Sequence, residues 1–323
     1  RRTRFRFWRV KPWRFESSSG HHFLSLCNIK KKVMSPRPQK PTPSKSVKTK
    51  LRIAVTGASG ILGKSVLQRL RAEYADVVAI GRTPVDGAFV QADLTQPREL
   101  AKVLKGVDVV VHCAGKISES GKLHENTRMA KALVGALKGT KTRVLNYSTA
   151  AVYGCVKGGM ADEDTPCYPA LAYSTNKLEC EQILDELGNR LCHLRIGNVF
   201  NEAIFSSVLS SPFKRLLRGG EYSNLIFAEE VSHMAAHVLT LTSWPRCFNV
   251  NRDDLGPLPY AEIYAMRTGA ARKEFYLHPW FSHAFRRVRG MQSVTANIRF
   301  SNARLMATGY TPLDFKKMMT AKP

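Results

Sequence analysis

The chain has 323 residues, of which 44% are hydrophobic, 50 are Lys or Arg and 25 are Asp or Glu. This length and composition are those of a globular protein with a sizeable buried core. No apolar run approaches the roughly 20 residues that a membrane-spanning helix needs, so we expect no membrane partner.

The excess positive charge is greatest in the first 50 residues. They carry 15 Lys and Arg against one acid, Glu16, without an amphipathic period. We expect this tail to be disordered. Three interpretations stay open: an organelle-targeting segment, a basic-aromatic arm for nucleic acid or an anionic surface, or translated upstream sequence over residues 1–33 with the start at Met34. The tail is a weak guide to function, and we do not expect a nucleic-acid partner.

The seven cysteines form an odd set without a C-x-x-C pair. They therefore indicate neither a disulfide framework nor a thiolate zinc site. A reducing compartment is expected, which is the cytoplasm unless the tail directs the chain to an organelle. His233 and His237 have helix-face spacing for a metal but no third ligand, so we interpret them as surface or packed helix residues and predict no metal.

Strands and helices alternate from residue 51 onward. The pattern predicts strands over 51–57, 76–81, 88–93, 107–115, 142–149 and 191–197, and helices over 60–73, 96–105, 125–137 and 172–188. Apolar strands that alternate with helices are typical of a parallel sheet covered on both faces. We therefore predict an α/β fold, a Rossmann-like doubly wound parallel sheet. Beyond Gly197 the alternation weakens, which predicts a smaller C-terminal lobe.

The first predicted turn has the spacing G-x-x-G-x-x-G, in VTGASGILG. A strand leads into this loop and a helix leaves it, which is the context in which such a loop binds a dinucleotide. Glycine permits a tight turn and a close approach of the diphosphate, and the helix N-terminus supplies free N–H groups. The loop residues predicted to bind the cofactor are Gly57, Ser59, Gly60, Ile61 and Gly63.

The end of the second predicted strand indicates which dinucleotide is bound. Folds that bind NAD usually place an acid there for the ribose 2′-hydroxyl, whereas this chain has Gly81 and Arg82. Because a guanidinium pairs with a 2′-phosphate, the sequence favours NADP(H) over NAD(H), with a solvated Arg82 as the alternative. Asp93 and Leu94 follow the third strand in the predicted cofactor site. Asp93 either accepts a hydrogen bond from the adenine amino group or caps the turn before Gln96.

Tyr173 and Lys177 are spaced i, i+4 on a predicted helix and share one face. A free phenol has a pKa near 10, and a nearby ammonium lowers it by favouring the phenolate. We expect Lys177 to lower the pKa of Tyr173 in this way. Such a phenol exchanges a proton with a substrate hydroxyl or carbonyl while hydride moves to or from a nicotinamide.

The fifth predicted strand ends in Ser148 and Thr149. Ligands bind at the carboxyl ends of strands in open α/β sheets, and a hydroxyl there orients a substrate oxygen. These two residues, the glycine loop and the helix of Tyr173 are expected to share one crevice.

Together these motifs resemble those of the extended short-chain dehydrogenase/reductase family, the NAD(P)-dependent epimerase/dehydratase group. The similarity covers about residues 51–320 and includes TGASGILG, VVVHCAG, NYSTAAVYG, YSTNK, LRIGNVF and FSNARLMATGYTP. The resemblance implies Tyr173 as acid/base, Lys177 on the nicotinamide ribose, Thr149 polarising the substrate, and Asn126 as the family's asparagine on the preceding helix.

The resemblance also implies a domain organisation. Residues 51–197 would form the cofactor-binding core, 221–250 would return to it, and 198–220 with 251–323 would form the substrate lobe. A homodimer through paired helices is implied as well. The further residues placed in the site are Cys113, Ala114 and Gly115 beside the nicotinamide ribose, and Ser148 and Asn198 on the substrate side.

Three departures from the family pattern bear on packing at the cofactor side, in the case of Met129, and on the substrate. Met129 stands where the family has glycine, GNVFNEA lacks the usual Gly-Pro turn, and LLRGGEYSNLIFAEE omits the segment in which nucleotide-sugar enzymes place an arginine. We predict an NAD(P)-dependent oxidoreductase or epimerase/reductase acting at a secondary alcohol or ketone of a small molecule, a sugar or nucleotide sugar among the candidates. The alternative is a non-catalytic dinucleotide-binding sensor or assembly subunit with the same fold.

Overall fold

The structure is a computed structural model, and it describes residues 48–117, 123–154, 156, 159–200, 224–256, 266 and 298–320. Its strands are β1 Lys48–Thr56, β2 Tyr74–Gly81, β3 Phe89–Gln91, β4 Val109–His112, β5 Arg143–Thr149, β6 Met160–Ala161, β7 Leu191–Ile196, β8 Asn198–Val199, β9 Leu225–Ile226, β10 Cys247–Val250 and β11 Arg299–Phe300. Its α-helices are α1 Ile61–Glu73, α2 Pro97–Val103, α3 His124–Ala136, α4 Ala172–Leu184, α5 Ala228–Thr240, α6 Ala303–Met306 and α7 Phe315–Thr320.

Seven of these strands form one parallel sheet in the order β3-β2-β1-β4-β5-β7-β10. Every residue of β4, β7 and β10 is buried. Strands buried on both faces are mostly apolar, as β4 is, whereas β7 and β10 also bury the polar side chains of His193, Arg195 and Asn249. The predicted doubly wound parallel fold is confirmed.

The helices divide between the two faces of this sheet. Val66 of α1 and Met234 of α5 share one buried apolar cluster with the sheet. Leu100 of α2, Leu133 of α3 and Leu184 of α4 share the other. Each helix presents a stripe of apolar residues at i, i+3 and i+4 spacing, and burial of that stripe holds it to the sheet.

The strands and helices predicted up to residue 197 are all present, with small shifts at their ends. The largest shift is in α4, which was predicted to reach residue 188 and ends at Leu184. The segment Asp185–Arg190 instead forms a 3₁₀ helix interrupted by Gly188 at φ 62°. The positive φ of Gly188 thus breaks helical geometry where the sequence predicted, while the α-helical part already ends at Leu184.

The connection from β5 to α4 brings two parts of the predicted site together. A 3₁₀ turn, Ala150–Tyr153, follows β5 directly. The Tyr168 N–H then donates to the Tyr153 carbonyl at 3.3 Å, and Gly154 pairs with Tyr168. The chain therefore returns to the C-terminal end of β5 just before α4 begins.

Residues 1–47 of the predicted tail and most of the predicted substrate lobe lie outside the described residues, and the last three residues of the predicted tail belong to β1. Two small sheets flank the large one: β8 pairs with β9, and β6 pairs with β11. Among the described residues, no helix is both long enough and apolar enough to span a bilayer.

Candidate functional site

The glycine loop joins β1 to α1 by a tight backbone approach. Gly57 has φ 69°, and a Cβ there would lie 2.6 Å from the backbone of Ala114. A Cβ on Gly63 would lie 2.0 Å from the carbonyl oxygen of Gly57. Both positions therefore exclude any larger residue. Among the described residues, no side chain caps the N-terminus of α1, so its first N–H groups are available to an anion.

A cleft of about 270 Å³ opens beside this loop, between the C-terminal ends of β1, β2 and β4 and the start of α3. Many of the predicted cofactor-site residues line it. These are Gly57, Ser59, Gly60, Arg82, Asp93, Leu94, Cys113, Ala114 and Gly115. Ile61 is the first residue of α1 and is 58% exposed, while Gly63 packs on the loop as described.

Arg82 and Asp93 lie at the outer end of the cleft. Arg82 is exposed at the end of β2. The Asp93 carboxylate accepts hydrogen bonds from the backbone and the hydroxyl of Thr95, both at 2.9 Å, which forms the turn before α2. These bonds lower the pKa of Asp93, and the charges of Arg82 and Arg128 lower it further. Asp93 thus caps the turn and also lines the cleft.

Asn126 connects the cleft to the helix of Tyr173. Its amide oxygen accepts from the Lys116 N–H at 2.7 Å, and its amide nitrogen donates to the Lys116 carbonyl at 3.1 Å. The same nitrogen donates to Asn176 of α4 at 2.9 Å. All of these groups lie at one junction, so Asn126 fixes the chain after β4 relative to α4.

Thr149, Tyr173 and Lys177 lie where the sequence placed them, at the end of β5 and in the first turns of α4. The Thr149 hydroxyl accepts from the Ala151 N–H at 3.2 Å. Lys177 is 9% exposed, and its Nζ donates to the Tyr147 carbonyl at 2.6 Å. Tyr173 is half-buried, and within the described part of the chain its hydroxyl makes no hydrogen bond.

The pKa values of Tyr173 and Lys177 differ from the prediction. Burial raises the pKa of Tyr173, and the Cys180 thiol raises it further. Burial also lowers the pKa of Lys177. The prediction that Lys177 lowers the pKa of Tyr173 is wrong for this structure, because the ammonium is held by the Tyr147 carbonyl rather than by the phenol.

Ser148 faces away from the cleft, into a buried ion pair. Its hydroxyl donates to Glu181, which is wholly buried on α4. Glu181 also accepts from Arg195 of β7 at 2.8 and 3.2 Å. Burial alone would raise the pKa of Glu181, but the bonds from Arg195 and the neighbouring charges outweigh it and lower the pKa.

Sequence reasoning missed Glu181, Arg195 and Asn176. A usable signal was present for Glu181, because it continues the i, i+4 face that begins with Tyr173 and Lys177. Arg195 and Asn176 gave no such signal, since their partners come from other elements.

Four further residues from the sequence analysis have simple surroundings. Asn198 is exposed at the start of β8, where its N–H donates to the Asn224 carbonyl at 2.9 Å. Met129, in the position of a family glycine, is 8% exposed and lines the cleft. The rings of His233 and His237 pack on Tyr310, with centroids 5.2 and 5.4 Å away.

The fold and the cleft define a Rossmann-like protein with a dinucleotide-binding loop. A family model described as "NAD dependent epimerase/dehydratase family" matches residues 53–221. UDP-glucose 4-epimerase of Azospirillum brasilense is 32% identical over 155 residues, which are 42% of this chain and 44% of that protein. Rattus norvegicus 3 beta-hydroxysteroid dehydrogenase type 7 is 31% identical over 184 residues, 48% of this chain and 53% of that protein. The chain thus spans about half the length of these curated relatives.

Among solved structures, the Bordetella bronchiseptica enzyme WbmG in complex with NAD has a TM-score of 0.65 and 18% identity, over 86% of this chain and 93% of that chain. This similarity shows the fold. Because the family model matches just over half of the sequence, the chain belongs to the NAD dependent epimerase/dehydratase family. The predicted family is confirmed. The residues present also fit the family's cofactor, since Gly57 and Gly63 leave a backbone cradle that a Cβ would fill.

Proposed function

We propose that this protein is an NADP(H)-preferring oxidoreductase or epimerase/reductase that acts at a secondary alcohol or ketone of a small molecule. The observation that carries the proposal is the position of Tyr173 and Lys177. They lie on one face of α4, at the end of β5 that carries Thr149, and the Lys177 ammonium reaches the β5 backbone there.

The roles proposed for these residues follow from their surroundings. Tyr173 has a half-buried hydroxyl with no hydrogen bond to any described residue, so it is free to exchange a proton with substrate. Thr149 lies at the strand end where it can donate to the same oxygen. Lys177 is held at the end of β5, where its proposed role is to bind a ribose and contribute positive charge. A bound nicotinamide supplies the hydride acceptor or donor.

The other predicted residues are assigned by what they contact. We propose that Asn126 positions the cofactor-side loop against α4, and that Ser148 supports Thr149 through its bond to Glu181. Asn198 is exposed at the start of β8, so it remains a candidate for substrate contact.

Within the proposal, the domain division keeps residues 51–197 and 221–250 as the cofactor-binding core, and β10 is a strand of the large sheet. Residues 198–220 and 251–323 remain the proposed substrate lobe. The homodimer is proposed to form through α3 and α4. Lys131 on α3 and Glu179 on α4 are both exposed, and their opposite charges support pairing of these helices between two copies.

Mutation of Tyr173 tests the chemistry. The purified protein is incubated with NADP⁺ or NAD⁺ and secondary alcohols, including a UDP-hexose and a 3β-hydroxysteroid, and reduction is followed at 340 nm. Tyr173→Phe is expected to lower the rate about 10²- to 10⁴-fold while dinucleotide affinity is kept. Tyr168→Phe, at a tyrosine that is 71% exposed, is the matched control. Equal rates in wild type and Tyr173→Phe overturn the enzyme proposal.

Mutation of Arg82 tests the choice of cofactor. Removal of a guanidinium that pairs with a 2′-phosphate is expected to weaken NADPH binding by about tenfold or more, because such charged hydrogen bonds contribute about 1.5–3 kcal/mol. Affinity for NADH should change less than about twofold. Arg98→Ala, an exposed arginine on α2, is the control. Equal losses for both dinucleotides would remove the proposed preference.

The alternative function, a dinucleotide sensor without catalysis, is favoured by one observation. Thr149, Tyr173 and Lys177 are not among the residues that line the described cleft beside the glycine loop. A sensor would bind the dinucleotide tightly, and none of the alcohols would lead to its reduction. The Tyr173 experiment therefore separates the two functions.

A further inference from the structure

Arg128 of α3 is an exposed arginine beside the outer end of the cleft. Its Nη2 donates to the Thr95 hydroxyl at 3.5 Å, and Thr95 is one of the residues that line the cleft. Met129, the next residue of α3, lines the cleft as well. The Arg128 guanidinium therefore lies at the mouth of the cleft, beside the turn that Asp93 and Thr95 form, where a ligand can reach it.

Both arginines at this end of the cleft keep donors that no described residue occupies. Arg82, which lines the cleft, makes no hydrogen bond or ion pair with the residues that the structure describes. Arg128 makes only the 3.5 Å bond to Thr95 within that part of the chain, and it has no ion pair there. A guanidinium carries five N–H donors in a planar fork that matches the oxygens of a phosphate. Each side chain therefore retains most of its donors for an anionic ligand.

The charges around Asp93 explain why Arg82 alone would bind a phosphate poorly. Hydrogen bonds from Thr95 lower the pKa of Asp93, and the charges of both arginines lower it further, so this carboxylate is ionised at neutral pH. A second carboxylate, on Glu99, accepts from the Asp93 N–H at 3.1 Å. Two acids against one arginine would repel a dianion, whereas the charge of Arg128 brings this group into balance. Arg128 therefore removes a repulsion that Arg82 cannot offset by itself.

We propose that Arg128 binds the 2′-phosphate of NADP(H) together with Arg82, and that it is a second residue selecting NADP(H) over NAD(H). In Rossmann-like folds the 2′ position of the ribose lies near the end of the second strand, and Arg82 follows β2 directly. The inference rests on the proposed function, because it needs a dinucleotide with its adenosine half at the Arg82 end of the cleft. NADH carries a hydroxyl in place of the phosphate, so Arg128 should contribute little to its binding.

Ligand binding by the full chain tests the proposal, with calorimetry on NADPH, NADH and adenosine 2′,5′-bisphosphate. The bisphosphate carries the adenosine and the 2′-phosphate without the nicotinamide. Arg128→Ala is expected to bind NADPH and the bisphosphate about three- to tenfold more weakly and NADH within about twofold of wild type. Its Tm without ligand should stay within about 1 °C of wild type, because the side chain is exposed and gives up one long hydrogen bond.

Arg98→Ala is the matched control, because it removes the same guanidinium from an exposed position on α2. Arg98 is not among the residues that line the described cleft. Loss of positive charge alone would weaken NADPH binding as much in this variant as in Arg128→Ala. Direct contact with the phosphate instead predicts that Arg98→Ala binds all three ligands within about twofold of wild type.

Three results overturn the inference while leaving the proposed function intact. These are unchanged NADPH binding by Arg128→Ala, equal losses for NADPH and NADH in that variant, and a loss in Arg98→Ala as large as in Arg128→Ala. Wild type that binds neither dinucleotide, or that binds both with equal affinity, overturns the proposed NADP(H)-preferring function and the inference together.

Discussion

The two sides of the proposed site are built in different ways. The loop side, residues 57–63 with Arg82 and Asp93, is shaped by backbone and by glycines that admit no side chain. The helix side, formed by Thr149, Tyr173 and Lys177, is built from side chains, of which Lys177 is held by its bond to the Tyr147 carbonyl and Thr149 by the bond from the Ala151 N–H. The loop side therefore depends mainly on the backbone of residues 57–63 and on its close approach to Ala114. The helix side depends on partners far away in the chain.

Of the variants on the helix side, Glu181→Ala should lose the most unfolding free energy. The substitution leaves the Arg195 guanidinium, 2% exposed, without its carboxylate and also removes the partner of Ser148. Breaking a buried ion pair in this way costs about 3–5 kcal/mol of unfolding free energy. Urea denaturation measures it, with exposed Glu179→Ala on the same helix as the control. A similar, small loss in both variants would contradict the importance of the pair.

This contrast also explains what the sequence could predict. The loop, the parallel strands and the Tyr173–Lys177 face all follow from residues within a few positions of each other, so local patterns reveal them. The bond from Asn126 to Asn176 joins residues 50 positions apart, and that from Tyr153 to Asn249 joins residues 96 positions apart. No periodicity or motif marks such pairs, because they form only when the sheet brings the segments together.

The pKa of Tyr173 was mispredicted for the same reason. The i, i+4 spacing places Lys177 on the right face of α4, but the direction of its ammonium is set by the Tyr147 carbonyl of a different strand. Spacing along one helix predicts which residues share a face and leaves their partners undetermined.

On the loop side, Gly57→Ala should cause the next largest loss of unfolding free energy. The new Cβ adds a clash with the Ala114 backbone to the cost of a positive φ, which together amount to about 2–4 kcal/mol. Dinucleotide binding should fall with it. Gly139→Ala is the control, because Gly139 has φ 74° and nothing within 4 Å of a Cβ. It should cost only about 1–2 kcal/mol. Equal losses in the two variants would show that the close approach to Ala114 is unimportant.

Asn176→Ala should remove the hydrogen bond that connects the two sides, with a smaller loss of unfolding free energy. Asn126 keeps its two bonds to Lys116 and loses only the one to α4, so the expected cost is about 1 kcal/mol. If Asn126 couples the loop after β4 to α4, dinucleotide affinity should fall by several-fold. Thr175→Ala, at the exposed neighbouring position, is the control. A stability loss with unchanged affinity would show that the bond is purely structural.

The smallest expected effect is the pH dependence from Asp185. Burial would raise the pKa of this carboxyl, but bonds from His193 and Arg246 prevail and lower it to about 2. Since its unfolded pKa is near 3.9, its contribution to stability is complete above that pH and is lost as the pH falls toward 2. The pair is partly exposed, so the contribution is about 1 kcal/mol.

Urea denaturation at pH 5 and pH 2 measures this contribution. Asp185→Asn should be less stable than wild type at pH 5 and equally stable at pH 2. Asp86→Asn, at an exposed position in the loop before β3, should match wild type at both. A difference that persists at pH 2 would assign the effect to packing rather than to charge.

The position of β10 has a consequence for how the chain is made. This strand covers the edge of β7, yet about 50 residues separate the two in the sequence. At translation rates of about 5–20 residues per second, the nascent sheet keeps that edge open for about 3–10 s. An open edge of six buried residues can pair with a neighbouring chain. Pairing with β10 therefore covers that edge and leaves in its place a strand of only four residues, whose Asn249 N–H donates to the Glu163 carboxylate at 2.9 Å.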